Sequence, residues 1–158
     1  MQLPEPVRRH WILSIVGLLV LTFAVIQLVP IRVDNPPVKQ EPKWDSPRTR
    51  ALAKAACFDC HSNETNTYWW EDVAPLSWWI DNHVTEGRAA LNFSDCRPSG
   101  GGEGSGDAVE TVRNRSMPPG YYTWLGLHAS ADLSAKERQE LADGLRRTLQ
   151  GVSCGKGG

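Results

Sequence analysis

These 158 residues are expected to form a mainly α-helical protein, with one N-terminal helix of membrane length and a small helical domain after it. Three features carry that expectation. Trp11 to Val29 is a nearly unbroken apolar run, interrupted only by the mild polar residues Ser14, Thr22 and Gln27. Near the other end, Ser134 and Glu137 form a capping box ahead of Leu141, Leu145 and Leu149, which recur every four residues. Between them, no stretch alternates apolar and polar residues for long enough to read as a strand.

As a helix, the apolar run rises about 28 Å, close to the hydrocarbon thickness of a bilayer. Arg8 and Arg9 precede it and Arg32 follows it. The positive-inside preference puts the doublet in the cytoplasm and the remainder of the chain on the far side. A cleaved signal peptide would show a shorter apolar core and a small-residue exit. Here the run leaves through Leu28-Val29-Pro30-Ile31-Arg32, and no lipidation cysteine precedes Cys57. Residues 1–30 are therefore read as a cytoplasmic N-terminus and an uncleaved single-pass anchor in the lipid bilayer of the cytoplasmic membrane.

Pro30, Pro36, Pro37, Pro42 and Pro47 punctuate the next stretch among Asp, Lys and Glu. Residues 31–46 thus read as an extended, semi-rigid spacer that lifts a domain off the membrane. Residues 47–158 form that domain. Ser46-Pro47 starts a helix that runs to about Cys57, a cap residue followed by proline at the first helical position. A second helix is expected over Leu76 to Ala90. Residues 98–107 are a Gly-rich loop, and a short helix starts at Asp107 and stops before Met117-Pro118-Pro119. The capping box at Ser134 opens the last helix.

The chain has 17 Lys+Arg against 18 Asp+Glu, so no basic surface points to nucleic acid. Seven Trp is a heavy load for this length, and a bound apolar macrocycle is one place to bury such surface. Cys57-Phe58-Asp59-Cys60-His61 supplies the reason for one. It is a C-x-x-C-H sequence, the spacing at which two thiols reach the two vinyl groups of a porphyrin and the adjacent imidazole reaches the iron. A zinc site would need two further ligands at similar spacing, and Cys96 and Cys154 are single and far apart. A thioredoxin-like pair would need a βαβ context, which is missing. One covalent haem c is the cofactor expected, with Cys57 and Cys60 as thioethers and His61 as an axial ligand.

The second axial position has three candidates. Met117 leads, as one of only two methionines, stiffened by Pro118-Pro119 on a loop before the terminal helix. His/Met ligation is an established way to raise a haem potential. A methionine filling a core gap is the alternative use. His83, in a helix, and His128, before the last helix, are the rival ligands; a bond to a propionate or a backbone carbonyl is the alternative use of His83.

These residues amount to a resemblance. Cys57-Phe58-Asp59-Cys60-His61-Ser62-Asn63-Glu64-Thr65, Ala74-Pro75-Leu76-Ser77-Trp78, His83-Val84 with Glu86-Gly87-Arg88, and Leu91-Asn92-Phe93-Ser94 resemble the bacterial haem-binding-domain family of c-type cytochromes. Met117-Pro118-Pro119, Tyr122 and Leu133-Ser134 continue the match, which covers roughly Pro36 to Leu149. The resemblance implies one haem c in a cytochrome c-like helical domain wrapped around it, with Met117 at the position of the Met-Pro-Pro motif. The Gly-rich insert, Cys96 and the Cys154 tail depart from the pattern.

Outside the cytoplasm, Cys96 and Cys154 are expected to pair as a disulfide. Arg88, Arg113 and Arg115 are candidates for neutralising haem propionates. Cys57 to Asp95 holds seven acidic residues against one basic residue, Arg88, which is either an ordinary solvated surface or a docking face for a basic partner. The function expected is one-electron transfer, not enzymatic catalysis. The partners expected are redox proteins or a respiratory or photosynthetic membrane complex. A haem sensor or haem enzyme with an open sixth site, and a subunit whose haem is structural, are the alternatives from other classes.

Overall fold

The computed structural model describes residues 5–98 and 104–155. Helix α1 (Glu5–Ile26) stands alone. Its window Arg9–Ile26 has a mean hydropathy of 2.0 and none of it is buried within the protein. No neighbouring element covers its apolar side chains, so the helix is long and apolar enough to cross a membrane. A signal sequence would satisfy the same measure.

Residues 27–46 have almost no regular structure, as the prolines require, since proline fixes φ and removes a donor. They do not stand off as a spacer. Asn63 Nδ2 donates to the Pro37 carbonyl (3.1 Å), and the Lys39 and Gln40 amides donate to the Ser94 carbonyl (2.9 and 3.1 Å). Trp44 packs on Phe58 and Phe93, with ring centroids 6.1 and 5.2 Å apart. Backbone groups denied a helix still need partners, and these find them on the domain that the segment was expected to hold away from the membrane.

Helix α2 (Pro47–Ala56) begins as expected, with the Ser46 side chain accepting from the Thr49 amide and Pro47 in the first turn. Helix α3 (Phe58–His61) follows after a break at Cys57, and helix α4 (Leu76–Ala90) has the expected bounds. Helix α5 (Gly104–Arg113) starts three residues before Asp107, and residues 99–103 of the Gly-rich loop lie outside the described residues. Helix α6 (Gly120–Thr123) is a single turn. Helix α7 (Ala135–Thr148) carries the complete Ser134–Glu137 capping box.

The core lies among α2, α5 and α7. Leu52, Ala53, Val109, Val112, Leu141, Leu145 and Leu149 are buried there beside Phe58 and Phe93. Each large apolar side chain buried in this way contributes about 1.5–3 kcal/mol. Gly144 lets α7 approach α2, because a Cβ at that position would collide with the Thr49 side chain. Two three-residue strands were not expected: β1 (Cys96–Pro98) pairs antiparallel with β2 (Val152–Cys154), with Cys96 opposite Cys154. A disulfide joins those two residues across 58 positions, and closing a loop of that length stabilises the fold by roughly 4 kcal/mol on the chain-entropy model. The tryptophans are less buried than their number suggested: Trp44 packs on the core, while Trp69 and Trp124 are largely exposed.

Candidate functional site

Local backbone geometry builds the site first. Helix α2 stops at Cys57, whose amide donates to Ala53 O (2.8 Å), and one new turn starts there, with the Cys60 and His61 amides donating to Cys57 O (3.2 and 2.9 Å). Residues three and four apart in a helical turn share a face, so Cys57, Cys60 and His61 line one side. Phe58 leaves from the other side, is 1% exposed, and stacks on Phe93 at 5.7 Å. The aromatic core thus holds the turn from behind.

Helix α4 fixes the imidazole. His61 Nδ1 lies 2.9 Å from Gly87 O and 3.0 Å from Leu91 O. Only a protonated Nδ1 satisfies a carbonyl, so Nε2 is the unprotonated nitrogen, the form that binds a metal. Burial pushes the His61 pKa down, which also favours the neutral ring. Gly87 is what permits this approach: a Cβ there would lie 2.5 Å from Cys60 O and 3.3 Å from Cys60 Cβ. Gly87→Ala is therefore expected to push α4 off α3 and destabilise the domain by about 1–3 kcal/mol, read as a lower midpoint in denaturant titration. Unchanged stability would mean that α4 does not hold the turn.

The two thiols are free, and Cys57 packs against the core. Burial pushes the Cys57 thiol up to about 12 and the Cys60 thiol up to about 11. Such thiols stay protonated at neutral pH, unlike those of a reactive redox pair. Among the described residues, no group of three or more His, Cys, Asp or Glu is placed to hold a metal ion.

Met117 lies on the loop between α5 and α6. Its amide donates to Thr111 O (3.0 Å), and its carbonyl accepts from Arg138 Nη1 (2.8 Å), which also reaches Val112 O (3.2 Å). Arg138 thus fixes the methionine loop to the end of α5. Met117 is 38% exposed and stands outside the buried core, which removes the gap-filling role. Trp79 and Tyr121, with ring centroids 5.2 Å apart, are also half-exposed. Burial pushes the Tyr121 phenol up. Two free thiols and a metal-ready imidazole on one turn, with half-exposed apolar side chains at Met117, Trp79 and Tyr121, fit a haem.

The other candidates are placed differently. His83 stacks on Trp79 at 4.1 Å, with its Nδ1 2.8 Å from Trp79 O. His128 is buried, stacks on Tyr122 at 3.8 Å, and has its Nε2 3.5 Å from Glu71 Oε1. That contact turns His128 Nε2 toward the Glu71 carboxylate. Tyr122 donates to Asp59 Oδ2 at 2.5 Å, and burial together with this carboxylate pushes its phenol up.

Two of the three candidate arginines are bonded within the protein. Arg88 donates to Ser62 O, Asp34 O, Asn35 Oδ1 and Thr65 Oγ1 at 2.7–3.0 Å. It clamps the proline-rich segment to the loop after His61, and its Nη1 also lies 3.3 Å from Asp34 Oδ1. Arg113 pairs with Asp143 at 3.0 Å. Of the three arginines, Arg115 is exposed and left-handed (φ 66°) with no such partner. The acidic stretch is also partly internal: Asp59 and Glu71 face Tyr122 and His128, while Asp95 pairs with Lys39 at 2.8 Å.

Sequence reasoning missed Arg138 and Gln27, because nothing local marks a side chain that will bond a distant backbone. Gly87 had a signal: a glycine inside a helix costs about 1 kcal/mol relative to alanine and needs a packing reason.

Comparison with curated proteins finds no match, and neither does comparison with solved structures. The model of a haem-binding domain matches residues 21–147, which takes in the turn at Cys57–His61, α4, the Met117 loop and most of α7. The chain belongs to the haem-binding domain family.

Proposed function

We propose that this protein is a membrane-anchored c-type cytochrome that carries one covalent haem on the outer face of the cytoplasmic membrane and transfers single electrons. One observation carries the reading: the C-x-x-C-H turn presents two free thiols together with an imidazole whose Nδ1 is already bonded to Gly87 O and Leu91 O. Cys57 and Cys60 would hold the ring as thioethers, and His61 Nε2 and Met117 would ligate the iron. Once bound, haem c supplies a ferric–ferrous couple tuned by its axial ligands.

The remaining residues orient and shield. Gly87 and Leu91 carbonyls hold the imidazole plane and raise its basicity. Arg138 holds the Met117 carbonyl and the Thr111 carbonyl holds its amide, while Phe58 anchors the turn in the aromatic core. The protein is read as an electron carrier for redox partners in or on the membrane, with α1 as its anchor. The exposure of Met117 (38%) is the one feature that favours the sensor or enzyme reading, since an exposed ligand exchanges more readily.

The deciding measurement is haem retention. After acid-acetone treatment the protein should keep its haem, and the pyridine haemochrome should report one haem c per chain. Haem that extracts completely would sink covalent attachment, while haem binding by the family would stand.

A further inference from the structure

Trp69 is 81% exposed, and Leu28, Val29 and Ile31 beside the end of α1 are 78%, 50% and 40% exposed. Val29, Pro30 and Trp69 line one cavity of about 420 Å³ with Gln27, Arg32 and Asp72. The apolar window of α1 ends at Ile26 and covers 18 residues, a rise of about 27 Å, which fills the hydrocarbon core of a bilayer. The residues that follow therefore enter the headgroup layer, which is roughly 5–8 Å deep on each side.

Three hydrogen bonds hold the outer domain at that depth. Gln27 Nε2 donates to Ala74 O (3.0 Å), and the Ala74 amide donates to Gln27 Oε1 (3.1 Å). Trp78 Nε1 donates to Val29 O (3.0 Å). The start of α4 and the turn at Trp69–Asp72 are thus level with the first residues beyond the span. An indole suits this layer, having an apolar ring and a polar edge.

We propose that the Trp69–Trp78 face is a lipid-docking surface that sits in the headgroup layer of the membrane crossed by α1. This rests on reading α1 as a membrane span. The haem site then has a bounded height. His61 is bonded to Gly87, thirteen residues beyond Ala74, so it stands at most about 20 Å along α4 from the docked end. The site is held near the bilayer and meets partners that lie on or in the same membrane.

The test uses the full-length protein in lipid nanodiscs containing a phosphatidylcholine with a diazirine close to its headgroup, followed by peptide mapping. Labels are expected on α1 and on the peptide spanning 69–78, with α7 unlabelled. Trp69→Asp should reduce the 69–78 label several-fold and leave the α1 label unchanged, and Gln27→Ala should act in the same direction. Labels on α1 alone would overturn the docking surface and leave the span standing. No label on either would remove the span itself. Equal labelling of α7 would overturn the docking surface as a nonspecific contact.

Discussion

Replacing both Cys57 and Cys60 with alanine is expected to reduce haem surviving acid-acetone extraction from about one per chain to none. The two thiols lie on one side of a single turn, and no other free cysteine is found among the described residues. Cys96 and Cys154 are committed to their disulfide and cannot substitute. Each single variant should keep one thioether and retain its haem covalently. The reduced visible band should then move to longer wavelength, because one vinyl group stays conjugated with the ring. His61→Ala is a separate arm. The thioethers can still form, but the iron loses the imidazole positioned by Gly87 and Leu91, and it should bind added imidazole or carbon monoxide. A double cysteine variant that still held its haem through extraction would place the attachment elsewhere.

Met117→His is expected to lower the reduction potential by at least on the order of 100 mV, a fraction of the roughly 0.8 V that axial ligands span. A thioether favours ferrous iron, whereas imidazole stabilises ferric iron more. The oxidised protein should also lose the weak near-infrared sulfur-to-iron band, and Met117→Ala should open the iron to cyanide or carbon monoxide. Arg138→Ala offers a milder version. It leaves the sulfur in place but frees the Met117 carbonyl, so the band should weaken and ligand exchange should quicken. If Met117→Ala changes neither spectrum nor potential, His83→Ala becomes the decisive variant. His83 packs beside Trp79 and Tyr121, whereas His128 faces Glu71.

Much of this protein is written in local signals. The apolar run of α1, the Ser46-Pro47 start of α2, the bounds of α4 and the capping box of α7 each depend on residues within a few positions of one another, as does C-x-x-C-H. Local hydrogen bonding and periodicity are short-range physics, and a sequence displays them directly. The tertiary structure decided everything that pairs distant positions. It made Arg88 a clamp on Asp34, Asn35 and Thr65. It laid the proline-rich segment along the domain, bound Gln27 to Ala74 across 47 residues, and paired two strands around a disulfide. It also gave Gly87 its purpose, which is to let α4 come close enough to take the His61 proton donor. Such contacts leave no periodic trace, because a buried polar group must find a partner and the fold alone determines which one comes within reach.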